Sequence, residues 1–456
     1  MKSNLKNLFF TFYFVITAVI SFLIGLLFYD STKGLDYNKY FKNLNLFLGN
    51  EETVYDSSGT LYYYLVATFI NNQIENTYID NLKLLYNYSI QSVNFFLFLI
   101  GAAGLYIVFK QKGFKNFDLV ISLSIICYLP TAYYFRLTMK PEVMAFALFP
   151  WCIYLLDKFF ESKNLANTLS SVVILTILLT LKPSISGMVF IAILLFYRNN
   201  LNSVKNIFIL SFSTLVSSLF FIFYNYRLTG VWLFARPVSL ENADKWNNIA
   251  SFSFYTNIDL INLYQNPYQY LHSDSFISIT LLDTLADYFH FFWNHEEVTN
   301  YIAFDKVKFS DNFLIQEFLN KYISISFTVV FYFLVVFLIF QKSKNTIWLS
   351  LPFFGWVILI INSFGIPSKN FDPLTGDLFK VHYYSFFFTI SFFVLILHFL
   401  SKYKLTKLLI FFLLPLFLSS IGFPKNLSES SYAGIQEKIV SYNMCKLTKY
   451  TDNFSC

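Results

Sequence analysis

Long apolar stretches recur about eleven times along this chain, and the short segments between alternate pairs of them are basic. A helix that crosses hydrocarbon needs roughly 20 mostly apolar residues, because the layer is about 30 Å thick and each residue rises about 1.5 Å. By that measure the expected spans are 8–28, 92–109, 118–134, 143–157, 167–181, 184–197, 207–226, 322–340, 346–364, 382–400 and 408–422. Lys182-Pro183 breaks the stretch 167–197, either as a turn between two spans or as a kink in one longer element. The expected fold is therefore an all-α integral membrane protein of about eleven spans with two large loops carrying short interfacial helices.

The charges assign sides. Lys2 and Lys6, Lys110, Lys112 and Lys115, Lys158 and Lys163, Arg198 and Lys205, Lys342 and Lys344, and Lys402, Lys404 and Lys407 fall in one set of segments, against only Asp157 and Glu161. Short basic loops stay cytoplasmic, so the N-terminus is expected inside and the C-terminal tail outside. The long loops, about 29–91 and 227–321, then share the extracytoplasmic face with the tail 423–456, and residues 1–422 form one membrane domain. The large loop is acidic, with eleven Asp and Glu against five Lys and Arg between 227 and 320. The net charge of +6 belongs to the cytoplasmic loops, so it does not point to nucleic acid. The first span has a long apolar run with no small-residue cleavage pattern after it, and reads as a retained anchor. No lysine-rich retrieval tail closes the chain, which favours a bacterial inner membrane over the endoplasmic reticulum.

Several chemistries find no motif. No Walker loop, GxGxxG, GxSxG, HxxxH or CxxC occurs. Cys127 and Cys152 lie inside apolar spans and read as core residues. Cys445 and Cys456 share the external tail, where a disulfide and two free thiols are both open. The sequons at Asn87, Asn426 and Asn453 arise easily by chance in an Asn-rich chain.

The first external loop contains Asp36 and Tyr40, four apart and hence on one face of a helix. A turn at Gly59 follows, then Leu61-Tyr62-Tyr63-Tyr64-Leu65, whose aromatics suit a helix lying in the membrane interface. These residues resemble the first loop of the C-type glycosyltransferase superfamily, multi-span enzymes that take sugar from a polyprenyl-phosphate carrier. The closest likeness is to its protein-mannosyltransferase-like and bacterial lipid-glycan branch. Three further segments are similar to that family in order and sidedness. They are the turn Arg136 to Lys140-Pro141-Glu142, the stretch Asp283 to Asp287-Tyr288 and Trp293, and Lys380-Val381-His382-Tyr383-Tyr384 at the opening of the tenth span. The family's first-loop acid is often an Asp-Glu pair, whereas Tyr37 follows Asp36 here.

The resemblance implies a transferase that moves one sugar to an acceptor on the extracytoplasmic face. The acceptor would be a lipid-linked glycan, lipid A, a protein or a cell-wall polymer. No cofactor is implied with certainty; some members use a divalent cation and others do not. The chemistry sets its own requirements: a carboxylate to take the acceptor's proton, and cationic groups to stabilise the departing phosphate. Asp36 and Glu142 are the expected catalytic carboxylates. Arg136, Lys140, Lys380 and His382, with Tyr40, Tyr63 and Tyr383, are the expected substrate and phosphate groups. Each has a structural alternative. Asp36 suits a helix cap, and Glu142 suits a partner for Lys140 or Arg136 or an acid favoured at a helix start. Arg136, Lys182, Lys380 and His382 suit interfacial anchors. Asp283 and Asp287 are a like-charge pair with structural or metal-binding roles open.

Two other classes of protein share this topology. A polysaccharide polymerase or ligase uses an Arg-rich external loop, yet Arg227 and Arg236 are the only arginines in 227–320. A flippase or transporter places ionisable groups near the middle of the bilayer, where these spans are almost free of charge.

Overall fold

The computed structural model describes residues 2–28, 31, 37–49, 58–76, 82–162, 164–198, 204–232, 252–258, 261, 263, 275–283, 311–342, 345–363 and 384–403. Among these residues the secondary structure is helical, without a strand. In chain order the helices are α1 (Lys2–Phe28), α2 (Tyr37–Phe47), α3 (Thr60–Asn76), α4 (Leu82–Gln111), α5 (Asn116–Ile126), α6 (Pro130–Leu137), α7 (Glu142–Glu161), α8 (Leu165–Leu181), α9 (Pro183–Phe196), α10 (Val204–Thr229), α11 (Phe252–Thr256), α12 (Phe276–Asp283), α13 (Asp311–Phe340), α14 (Thr346–Ser363) and α15 (Ser385–Lys402). Four of them are long and apolar enough to cross a membrane: α4, α7, α10 and α15. The count is five if α5 and α6, bent by 64° at their junction, form one span. Shorter apolar helices occur at Thr11–Leu27, Leu165–Leu181, Pro183–Phe196, Ile325–Phe340 and Thr346–Ile358. The protein is thus a membrane-associated helical bundle. The expected span 408–422 and the tail 423–456 lie outside the described residues.

Local chemistry accounts for the breaks. The expected single span 118–134 is interrupted before Pro130, which opens α6 at a position where its missing N–H costs nothing. Pro183 opens α9 in the same way, so the run 167–197 divides into two helices. Asn164 caps α8 by accepting a hydrogen bond from the Asn167 amide at 2.8 Å.

α4, α7 and α15 form the interior. Gly101 and Gly104 of α4 let α7 approach closely: a Cβ at residue 101 would lie 2.7 Å from the Phe146 carbonyl oxygen. Nearly every side chain of α15 is buried, against α5, α6 and α14. Thr131 of α6 and Thr389 of α15 share a buried hydroxyl bond of 2.8 Å. At the periphery, α10 turns Phe208, Phe212, Leu215, Leu219 and Phe223 outward, and α13 turns out Val330, Phe333 and Phe337. Rows of exposed apolar side chains at helical spacing suit contact with hydrocarbon.

α7 gives the bundle two distinguishable ends. At its C-terminal end the Tyr197 hydroxyl is shared between the Ile153 carbonyl and Asp157 Oδ1, 2.8 Å from each. There Lys112 lies 5.4 Å above the ring of Trp348, and Lys110 donates to Asn116. The N-terminal end of α7 carries Glu142, the α2–α3 hairpin and the end of α10, where Thr60 donates to Asn225.

Candidate functional site

The site forms around the turn Thr138–Pro141 that joins α6 to α7. Thr138 stops α6, its N–H and hydroxyl both bonding back to the Tyr134 carbonyl. Asn94, deep in α4, then fixes the turn: its Nδ2 donates to the carbonyls of Arg136 at 2.9 Å and Thr138 at 2.8 Å. Two carbonyls that the end of a helix leaves over are thereby satisfied inside the bundle. Gly59 docks α3 on this turn. Its φ of +69° suits glycine, and a Cβ there would stand 3.1 Å from Pro141 Cβ.

Lys140 and Glu142 leave this turn toward different partners. The Lys140 ammonium, buried, donates to the Tyr134 hydroxyl at 2.7 Å and lies 5.5 Å above the Tyr40 ring. Tyr40 of α2 stacks on Tyr63 of α3, with ring centroids 6.2 Å apart, and Tyr63 meets Tyr62 edge-on at 5.2 Å. A cation is thus held by the phenolic oxygen of Tyr134 from α6 and the ring face of Tyr40 from α2. Burial, reinforced by the neighbouring Glu142 carboxylate and partly offset by the bond to Asn94, pushes the Tyr62 phenol above its ordinary value. Tyr62 therefore stays a neutral donor.

Glu142 is the first residue of α7, where the positive end of the helix dipole favours an acid. Its side chain is 0% exposed, and Oε1 accepts a hydrogen bond from Lys182 Nζ at 2.7 Å. Oε2 is buried and has no hydrogen-bond partner among the described residues. Of the partners expected for Glu142, Lys140 and Arg136 are not the ones found. Lys182, expected as an interfacial anchor, is the partner instead.

Arg136 turns the other way. It is 1% exposed, and Nη2 donates to the carbonyl of Ser21 at 3.1 Å and to its hydroxyl at 2.9 Å. Its guanidinium lies 4.6 Å from the centre of the Tyr133 ring and 5.6 Å from that of Phe98. Nε and Nη1 have no hydrogen-bond partner among the described residues. α6 therefore directs two of its polar side chains apart: Tyr134 toward Lys140, and Arg136 toward α1. The same face of α1 is held to α4 by Gln91, which donates to the Gly25 carbonyl, and past the end of α1 Asn87 accepts from the Ser31 amide at 2.7 Å. Asn87 is buried, so its sequon is not presented.

Of the expected site residues, the structure brings Tyr40, Tyr63, Lys140 and Glu142 to one end of the bundle and sets Arg136 against α1. Asp36, Lys380, His382 and Tyr383 lie outside the described residues, as do Asp287 and Trp293. Sequence reasoning took Lys182 first for an anchor and passed over Asn94, Tyr62 and Tyr134. Two signals could have found the first pair. A lysine before a proline interrupts an apolar run at Lys182. Asn87, Gln91 and Asn94 recur at helical spacing along one face of an otherwise apolar helix. Cys127 and Cys152 are buried core residues, as expected. No group of three His, Cys, Asp or Glu that could hold a metal occurs among the described residues.

Compared with protein-family models, with curated proteins and with solved structures, the chain matches none.

Proposed function

We propose that this protein is a membrane glycosyltransferase, moving a sugar from a polyprenyl-phosphate donor to an acceptor at the end of the bundle that holds Lys140 and Glu142. The observation that carries this is a buried cation, Lys140, and a buried carboxylate, Glu142, set two residues apart at one helix junction, each with its own partner, and the Lys140 ammonium lying against the Tyr40 ring of α2. Glycosyl transfer from a lipid phosphate uses both charges: cationic groups on the leaving phosphate, and carboxylates on the acceptor side. Asp36 is the general base in this proposal. Tyr40, four residues after it, already stands over Lys140, which supports bringing the first loop to this site. Lys140, Lys380 and His382 bind the lipid phosphate, with Arg136 on the α1 side. Tyr63 and Tyr383 line the donor site. About eleven spans, a cytoplasmic N-terminus and a bacterial inner membrane belong to the same proposal, which puts the site at the outer leaflet.

The test is an Asp36→Asn protein, purified in detergent and assayed with a panel of radiolabelled polyprenyl-phosphate sugars. Loss of the base should slow turnover by about 10²-fold or more. Turnover equal to the parent's would remove Asp36 from the mechanism, and a parent inactive on the whole panel would remove the donor class.

A further inference from the structure

We infer that Lys182 is a positioning residue for Glu142, and that the break between α8 and α9 exists to deliver it. Three observations meet here. First, the 2.7 Å ion pair is shut away from solvent, with Glu142 at 0% and the Lys182 side chain at 9% exposure. Removing two charges from water costs several kcal/mol per ion, and apolar residues of equal volume often give the same stability or more. Stability alone therefore does not explain the pair.

Second, the pair occupies only one carboxylate oxygen. With Oε1 on Lys182, the carboxylate cannot rotate freely, and Oε2 keeps a fixed direction. A buried carboxylate oxygen held this way is suited to accept a hydrogen bond from a ligand hydroxyl. The groups around it agree with that use: the Tyr62 hydroxyl is committed to Asn94, and the Lys140 ammonium is bonded to Tyr134.

Third, the backbone is built around the lysine. Lys182 ends α8 and precedes α9 in extended conformation (φ −165°, ψ 143°), with Pro183 opening the next helix. Its carbonyl is recovered by Ser186, whose N–H and hydroxyl donate to it at 2.9 and 2.8 Å. The break is itself buried in protein, Lys182 being 7% exposed. Here it places an ammonium at the first residue of α7, forty positions away in sequence.

The ligand class is a hydroxyl-bearing sugar. That part rests on the transferase proposal, whereas the positioning geometry does not. The experiment therefore has two arms on full-length protein in detergent micelles. Infrared difference spectra against Glu142→Gln isolate the Glu142 carboxylate bands without any substrate. Lys182→Met should shift or abolish those bands, and Lys182→Arg should largely preserve them. Bands unchanged in Lys182→Met would overturn the inference.

The second arm measures transfer from the radiolabelled polyprenyl-phosphate panel. Lys182→Met should lower kcat by about 100-fold with donor KM little changed, and Lys182→Arg should recover part of it. The exchange variant Glu142→Lys with Lys182→Glu controls for a simple staple. It should regain the parent's thermal midpoint but not its kcat. If the exchange restores both, the pair is only a structural tie and the inference falls. If the parent transfers nothing while the infrared bands respond to Lys182→Met, the transferase proposal fails and the positioning stands.

Discussion

The Tyr62 hydroxyl donates to Asn94 Oδ1 at 2.8 Å, and this bond ties α3 to the interior of α4. The other end of the same amide holds the carbonyls of Arg136 and Thr138. One asparagine thus sets the height of α3 and the course of the turn that carries Lys140 and Glu142.

Asn94→Leu should be strongly destabilising. It strands the buried Arg136 carbonyl and takes one partner from the Thr138 carbonyl, which keeps the Lys140 amide, and from the Tyr62 hydroxyl; a buried group left without a partner costs about 1–3 kcal/mol. A thermal unfolding scan in detergent should show a lower midpoint, with Tyr62→Phe producing a smaller drop. Equal midpoints for Asn94→Leu and the parent would mean that the amide does not hold the turn.

Gly59 combines a left-handed backbone with a close approach to Pro141. Gly59→Val should cost about 1–3 kcal/mol through strain, while Gly59→Asn, which visits this conformation more readily, should cost less. Limited proteolysis of residues 50–76 reports the loosening of α3. Equal protection of the Val and Asn variants would count against the backbone explanation.

Gly101 faces Phe146, whose ring would lie 2.5 Å from an added Cβ and whose carbonyl oxygen would lie 2.7 Å away. Gly101→Leu should therefore separate α4 from α7 and yield little monodisperse protein in size-exclusion chromatography. Overpacking commonly costs about 1–3 kcal/mol, and a backbone obstacle raises that figure. Normal recovery of Gly101→Leu would show that the two helices do not pack at this distance.

Lys140→Met removes an ammonium bonded to Tyr134 and seated on Tyr40. If that cation meets the donor phosphate, KM for the polyprenyl-phosphate sugar should rise at least about tenfold, since a hydrogen bond to a charged group is worth about 1.5–3 kcal/mol. Lys140→Arg should retain part of the affinity. A KM unaffected by Lys140→Met would assign the lysine to packing alone.

Much of this architecture was legible in the chain itself. Spans such as 92–109 and 143–157 announce themselves because hydrocarbon admits only backbone that bonds within its own segment. Gly59 could be read as a turn, and Lys140-Pro141-Glu142 as a charged helix junction, because turn chemistry and helix starts depend on near neighbours. The pairing was not legible. Glu142 has Lys140 two positions away and Arg136 six positions back, yet its partner is Lys182. Arg136 meets Ser21 of the first helix instead of the residues beside it.

The sequence by itself determined which stretches are apolar enough for hydrocarbon and marked an interruption at Lys182-Pro183, since those follow from composition and local backbone rules; the break before Pro130 inside the expected span 118–134 it did not mark. Only the packing of α4, α7 and the α8–α9 break decided which buried charges meet. An ion pair depends on where helices far apart in the chain place their ends, and no local pattern of residues carries that information.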